Sequence, residues 1–292
     1  MATILALLFG SLLLQAPAGQ PQRLTSSSEL VVLSVTVVDR RSGYVAGLGR
    51  DAFTVYEDGT PQQVSFFGDA DIPVTAGLVI DTSISMRRRR DAIVAAGSSF
   101  VDSSHPEDEL FTVHFNERVW PGLPAGQLFT SDREVLRTAL AQMAPRGRTA
   151  LFDGLQLALN RLAQGQCQKK VLIVVSDGGD NASTATFEEV LATALRMDAV
   201  IYTVTIPDQY ETEDRPDVLR RLASVTGGEA FFLRNVSDIS RTFQRIARDI
   251  RNGYMIGYVP PSPGAGYHAI RVVVQPPDRR KVAVRARSGY HK

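Results

Sequence analysis

Cysteine is almost missing from this chain of 292 residues: Cys167 stands alone. No internal disulfide can form, which excludes a disulfide scaffold. In the polar turn Gln164–Gln168 the single thiol reads as inert. A charge bias is missing too, since 32 Lys and Arg against 31 Asp and Glu leave a net charge of +1. Such a balance gives no global field for nucleic acid or an anionic membrane. The 4 histidines, His105, His114, His268 and His291, are spread without metal-ligand spacing. Neither a G-x-S-x-G nucleophile elbow nor a G-x-x-x-x-G-K-[ST] phosphate loop occurs. A bilayer-length apolar run is also missing: the stretch from Thr3 to Leu14 is too short to span comfortably.

That stretch is followed by Ala16-Pro17-Ala18, a small-x-small cleavage pattern. An apolar core with such a site describes a secretory signal peptide over residues 1–18. No Lys or Arg precedes the core, which departs from the usual pattern, and no cysteine sits near the cleavage point, which disfavours a lipoprotein. Residues 19–29 are polar and read as a linker. The expectation is an exported protein, periplasmic, secreted or attached to the cell surface, with no transmembrane span in the mature chain.

Hydrophobic residues at 44% and charged residues at 22% fit a globular core. Residues 30–72 carry β patterns: Val31–Val38 alternates and is β-branched, and Phe53–Tyr56 and Gln63–Phe67 flank the hairpin signal Glu57-Asp58-Gly59. Forty residues of this kind are too few for a stable core of their own. Residues 73–252 alternate strands and helices. The strands fall at 75–80, 109–115, 171–176, 199–205 and 229–233. Helical spacing marks 87–103, 132–142, 152–164, 187–197, 216–225 and 237–251. Alternation of this kind implies a Rossmann-like α/β domain of three layers around a mainly parallel sheet. Residues 253–292 return to strands. Two incomplete β pieces at opposite ends are expected to pair into one small antiparallel β-sandwich.

The chemistry gathers at strand ends. Ala76–Ile80 is an apolar run that stops at Asp81-Thr82-Ser83-Ile84-Ser85, and open α/β sheets place their ligands at that carboxyl end. A carboxylate and two hydroxyls at i, i+2 and i+4 are hard oxygen donors, suited to Mg²⁺, Mn²⁺ or Ca²⁺ rather than zinc or copper. Thr149 precedes a helical pattern in Arg148–Gly154, and Val171–Val175 runs into Ser176-Asp177-Gly178. Taken singly, each has a commoner use as a helix cap or turn residue. As an ordered set, Asp81, Ser83, Ser85, Thr149 and Asp177 resemble the metal-ion-dependent adhesion site of von Willebrand factor type A domains. Residues 35–67, "VTVVDRRSGYVAGLGRDAFTVYEDGTPQQVSFF", with "GYMIGYVPP" and "VAVRARSGY" near the other end, resemble the acidobacterial-type proteins of that group.

This resemblance implies the von Willebrand A fold and one divalent ion, Mg²⁺ or Mn²⁺ with Ca²⁺ as a further option, held by those five residues. It implies metal-gated binding of a protein ligand that presents Asp or Glu to the ion, with no catalytic residues and no nucleic acid partner. An alternative is a structural module whose metal only braces loops. A Mg²⁺-dependent hydrolase fares worse: haloacid-dehalogenase-like chemistry needs a second aspartate where Ser83 stands, and Asp180 reads as a turn residue. The run Arg87–Arg90 is expected to begin a helix with charges pointing in all directions, a solvated start that still favours acidic partners.

Overall fold

The structure is a computed structural model that describes residues 30–39, 43–69, 71–206, 215–260 and 264–292. The expected leader (1–18) and linker (19–29) lie outside the described residues.

The chain runs β1 (Val31–Asp39), β2 (Gly43–Tyr44), β3 (Phe53–Glu57), β4 (Thr60–Gln62), β5 (Val64–Asp69) and then β6 (Val74–Asp81). Next come α1 (Arg90–Asp102), β7 (Glu109–Phe115), β8 (Val119–Pro121), α2 (Arg133–Ala141), α3 (Leu151–Leu162), β9 (Lys169–Val175) and α4 (Phe187–Arg196). They are followed by β10 (Ala199–Thr205), α5 (Pro216–Thr226), β11 (Ala230–Phe232) and α6 (Ile239–Arg251). The last strands are β12 (Tyr254–Tyr258), β13 (Tyr267–Val274), β14 (Val282–Arg285) and β15 (Gly289–His291).

The central sheet has six strands in the order β11-β10-β9-β6-β7-β8, parallel except for β8. All eight residues of β6 are buried, as a strand covered on both faces must be. One helix group joins α1 to α2 and α6, and the other joins α4 to α3 and α5. β6 is flanked by β7 and β9 because the chain leaves it in one direction and later returns on its other side. That reversal opens a crevice at the carboxyl ends of β6 and β9. Gly77 makes the tight packing feasible: a Cβ there would lie 2.3 Å from the Phe111 ring and 2.8 Å from Leu172.

The remaining strands form two antiparallel sheets. One has the order β14-β1-β12-β5 with β2 on β1, the other β15-β13-β3-β4. Each mixes strands from both ends of the chain: Val31 pairs with Tyr258 and Phe53 with Val274. Leu33, Val35, Phe53, Tyr254, Ile256, Ile270 and Tyr290 belong to one apolar cluster between them. The Tyr254 ring sits 4.8 Å from Phe53 and 5.8 Å from Phe67, and its hydroxyl donates to the Val45 carbonyl at 2.7 Å.

Two expectations are corrected. The hairpin at Asp58-Gly59 joins β3 to the short β4, not to the strand after Gln63: β5 leaves that sheet and pairs with β12 in the other. Both Asp58 (φ 49°) and Gly59 (φ 81°) adopt the left-handed backbone of the tightest hairpin turns. The arginine run does not open an α-helix either. Ile84–Arg89 is a 3₁₀ segment, and α1 begins only at Arg90. Arg89 is buried. Arg90 donates to the carbonyls of Met143 and Ala141, both at 2.7 Å. Its charge therefore meets the negative C-terminal end of α2, which offsets its poor position at the start of α1. Only Arg87 and Arg88 of the four are exposed.

Candidate metal centre

Asp81 is the last residue of β6, and parallel pairing with β9 brings Ser176 and Asp177 alongside it. Asp81 is fully buried, Ser83 is 1% exposed and Asp177 3% exposed. The Asp81 carboxylate accepts from the Ser83 backbone N–H and from the Ser176 hydroxyl, both at 2.8 Å. Ser83 Oγ lies 3.0 Å from Ser85 Oγ, and Ser85 Oγ donates to Asp177 Oδ2 at 2.7 Å. Asp177 Oδ1 accepts from the Gly179 N–H at 3.1 Å. Four of the five sequence-derived residues thus stand in one hydrogen-bonded row at the mouth of the crevice, with Asp81 joined to it through the Ser83 backbone N–H.

Thr149 joins this group through its backbone. Its N–H donates to Asn181 Oδ1 at 2.9 Å, and its carbonyl accepts from the N–H groups of Asn181 and Ala182. The loop before it is tied to the first one, with Arg146 N–H on the Thr82 carbonyl and Ile84 N–H on the Gly147 carbonyl. Thr82 contributes no ligand oxygen: its N–H and hydroxyl both donate to the Phe115 carbonyl, at 2.7 and 2.8 Å. The start of α3 is capped from the third loop, where Ser183 Oγ accepts from Phe152 and Asp153 N–H. Gly178, at φ 92°, turns that third loop where a Cβ would come within 2.7 Å of the Arg215 carbonyl.

The electrostatics follow from burial. Two carboxylates stand together without bulk water, and the Asp81 carboxyl is pushed up to about 7 by desolvation and then by the charge of Asp177. The buried acids Asp81 and Asp177 stand beside the hydroxyls of Ser83, Ser85 and Ser176, and all of these side-chain donors are hard oxygens. The donor set fits a hard divalent cation and offers nothing to a soft one.

Sequence reasoning missed Ser176, Asn181 and Ser183 as positioning residues and treated Asp180 as a turn residue only. Asp180 Oδ1 accepts from the Ser183 hydroxyl at 2.6 Å and so orients the α3 cap. The partners of Ser176, Asn181 and Ser183 lie 95, 32 and 31 positions away, so no local spacing announces them.

A switch-point crevice with hydroxyls and acids on three loops defines an α/β domain built around a cation-type site. The family profile of the von Willebrand factor type A domain matches residues 77–245, more than half of the chain, and the chain belongs to that family. An uncharacterized protein of Synechocystis sp. is 23% identical over 190 residues, covering 63% of this chain and 43% of that relative. The chain thus spans less than half the length of the curated relative it matches. Among solved structures, a von Willebrand factor type A protein from Catenulispora acidiphila superposes with a TM-score of 0.56 at 14% identity, covering 89% of this chain and 73% of that one. The vWF domain of the type V pili tip protein Mfa5 from Porphyromonas gingivalis gives 0.51 at 15% identity, over 62% of this chain and 95% of that one. Proximal thread matrix protein 1 from the mussel byssus, in a form with a zinc-occupied metal-ion-dependent adhesion site, gives 0.51 at 17% identity, over 62% and 48%. At such identities these structures share the fold.

Proposed function

We propose that this chain is an exported, non-enzymatic recognition module, in which Asp81, Ser83, Ser85, Thr149 and Asp177 hold one divalent cation and the cation captures a carboxylate from a protein partner. The observation that carries the reading is the contiguous set of hard oxygens from Asp81 to Asp177, at the switch point of the sheet. Occupation of the equivalent motif by zinc in the byssus protein supports cation binding at such a site. Mg²⁺ or Mn²⁺ is the expected ion here because no sulfur or imidazole joins the set. Bound there, the ion supplies positive charge that attracts an acidic side chain.

The chain's own residues do the rest. Asp81 and Asp177 carry the balancing charge, and the three hydroxyls donate neutral oxygens that leave the ion electrophilic. Exposed Arg87, Arg88, Arg146 and Arg148 flank the loops and favour an acidic partner. Ile84, 47% exposed between Ser83 and Ser85, offers that partner an apolar contact. Recognition is favoured over mere bracing because the three loops are already cross-linked by protein hydrogen bonds. The two antiparallel sheets are read as one β-sandwich of residues 30–72 and 253–292, which carries the 73–252 domain.

The test is thermal unfolding of the chain with EDTA, Mg²⁺, Mn²⁺ or Ca²⁺, beside Ser83→Ala. An ion at a hundred times its Kd, bound only by the folded state, adds about 2.7 kcal/mol, a shift of several degrees. A rise that Ser83→Ala removes supports the site. No rise with any of these ions overturns it. Capture of an acidic peptide array that survives chelation would instead overturn the metal-gated part.

A further inference from the structure

Outside the crevice, one cluster of ligand-type side chains stands out, at the tip of the β3–β4 hairpin. Glu57, Asp58 and His268 offer one donor atom each, all within 4.8 Å of one another. His268 Nδ1 lies 2.8 Å from Asp58 Oδ2 and 3.8 Å from Glu57 Oε1. We propose that these three residues form a second metal site, selective for Zn²⁺, which fastens the hairpin from one end of the chain to β13 from the other.

Three features of the surroundings support a built site. First, every donor is oriented by a group behind it. His268 Nε2 faces the Gly264 carbonyl at 2.9 Å, so a ring N–H belongs there, and Nδ1, 2.8 Å from Asp58 Oδ2, faces the carboxylates with a second N–H whose proton a bound metal would displace. Glu57 Oε2 accepts from the hydroxyls of Tyr258 and Tyr290, the latter at 3.2 Å, which leaves Oε1 for the site. Asp58 Oδ1 accepts from the Ala269 N–H at 2.8 Å, which leaves Oδ2. Second, the charge does not balance. The Glu57 side chain is 7% exposed, and among the described residues the His268 imidazole is the only cationic group within 4.0 Å of either carboxylate. Two acids share one imidazole, so a net negative charge sits partly enclosed. Third, the spacing is near what a small cation requires. Bonds of about 2.0–2.2 Å around tetrahedral Zn²⁺ put neighbouring donors about 3.3 Å apart. The two distances from His268, 2.8 and 3.8 Å, bracket that value, and the Glu57 and Asp58 donors, within 4.8 Å of each other, would close around the ion.

The imidazole separates this site from the crevice. A nitrogen with two carboxylates suits Zn²⁺ and disfavours Mg²⁺, whereas the all-oxygen set at Asp81 suits Mg²⁺. Asp58, with half of its side chain exposed, gives the ion a route in. The bond would join residues 210 positions apart in one sheet, so its binding energy adds to the stability of strands brought together from the two ends of the chain.

The experiment uses the untagged full chain carrying Ser83→Ala, in excess Mg²⁺, with Zn²⁺ as the probe. Equilibrium dialysis with metal analysis should find one Zn²⁺ per chain, and Zn²⁺ should raise the melting temperature by several degrees. Adding Asp58→Asn, nearly isosteric and on the surface, should weaken Zn²⁺ at least tenfold while circular dichroism stays unchanged. His268→Gln should do the same. Co²⁺ substitution should give visible absorption bands that both variants lose. Failure of the Ser83→Ala chain to retain Zn²⁺ overturns the proposal, as does binding that neither variant weakens. Because the crevice is disabled throughout, the outcome is independent of the reading given above for Asp81.

Discussion

Ser85 Oγ donates to Asp177 Oδ2 at 2.7 Å across 92 positions of sequence, joining the loop after β6 to the loop after β9. A cation entering between the two must replace that proton contact with its own bonds. Ser85→Ala removes one neutral oxygen, and Asp177→Asn removes balancing charge. Both should weaken Mg²⁺ by tenfold or more in calorimetric titration. Arg88→Ala, which alters only an exposed cation nearby, should change the affinity by less than threefold. Equal losses in all three variants would count against the ligand assignment.

The raised Asp81 carboxyl sets a pH dependence whose sign can be worked out. Its folded value is about 7 against an ordinary 3.8. Without metal, the folded state therefore holds a proton in that interval that the unfolded chain has lost. This group's contribution becomes more favourable as pH falls from about 7 towards 3.8. His114 acts oppositely: burial pushes it from 6.5 down to about 4, so acid in that window favours unfolding. The clean comparison is Asp81→Asn against the parent chain in EDTA. The variant should melt higher at pH 8, and the gap should narrow as pH falls through 7 and close only near 3.8. With Mg²⁺ present, the parent's metal-dependent gain should vanish over the same range. A gap that does not change with pH would remove the burial argument.

Much of the architecture was readable because buried parallel strands are continuous apolar runs. Residues 75–80 and 199–205 stand in the structure as Val74–Asp81 and Ala199–Thr205. The helix expected at 187–197 is Phe187–Arg196, signalled by a capping box between Thr186 and Glu189. The edges were harder to read. β8 is three residues long, and the crossing of β5 into another sheet at Gln63 depends on partners from the far end of the chain. The arginine run misled because helical spacing cannot distinguish a 3₁₀ turn from an α-helix. Nor does it show that Arg90 finds its acceptors on another helix. In the crevice, the residues with motif spacing were legible, while Ser176 and Asn181, which position them, act only through the fold.

Asn181 should matter for the ion without touching it. Its side-chain oxygen takes the Thr149 N–H and its own N–H returns to the Thr149 carbonyl. Asn181→Ala breaks the first bond and loosens the Thr149 loop. Mg²⁺ affinity should fall by about three- to tenfold, with a loss of about 1 kcal/mol in stability from the missing hydrogen bond. Asn181→Asp keeps an acceptor and should restore most of the affinity. Full affinity in the alanine variant would show that Thr149 is positioned without it.

A buried ion pair fastens the C-terminal β segment to the α/β domain. Arg285 of β14 donates to both carboxylate oxygens of Asp249 on α6, each at 2.7 Å, and Asp249 is 1% exposed. Removing one partner leaves the other charge buried, so Arg285→Met should cost about 3–5 kcal/mol in urea unfolding. Replacing both, with Asp249→Leu added, should recover a large part of that loss. A double variant as unstable as the single one would mean that packing, not charge, fixes this contact.

The shared sheets predict how the chain responds to truncation. β12 lies between β1 and β5, and β13 lies between β3 and β15, so residues 253–292 supply the inner strand of each sheet. Their removal leaves β1, β3 and β5 with exposed edges and strips Tyr254, Ile256 and Ile270 from the apolar cluster. Loss of three such side chains costs about 4.5–9 kcal/mol at about 1.5–3 kcal/mol each, before backbone bonds are counted. The shortened chain should lose protease protection over 30–72 first, while Val74–Asp81 and its neighbours stay protected. It should also aggregate through the uncovered strands. Unchanged melting and protection after truncation would show that the N-terminal segment folds without its partner strands.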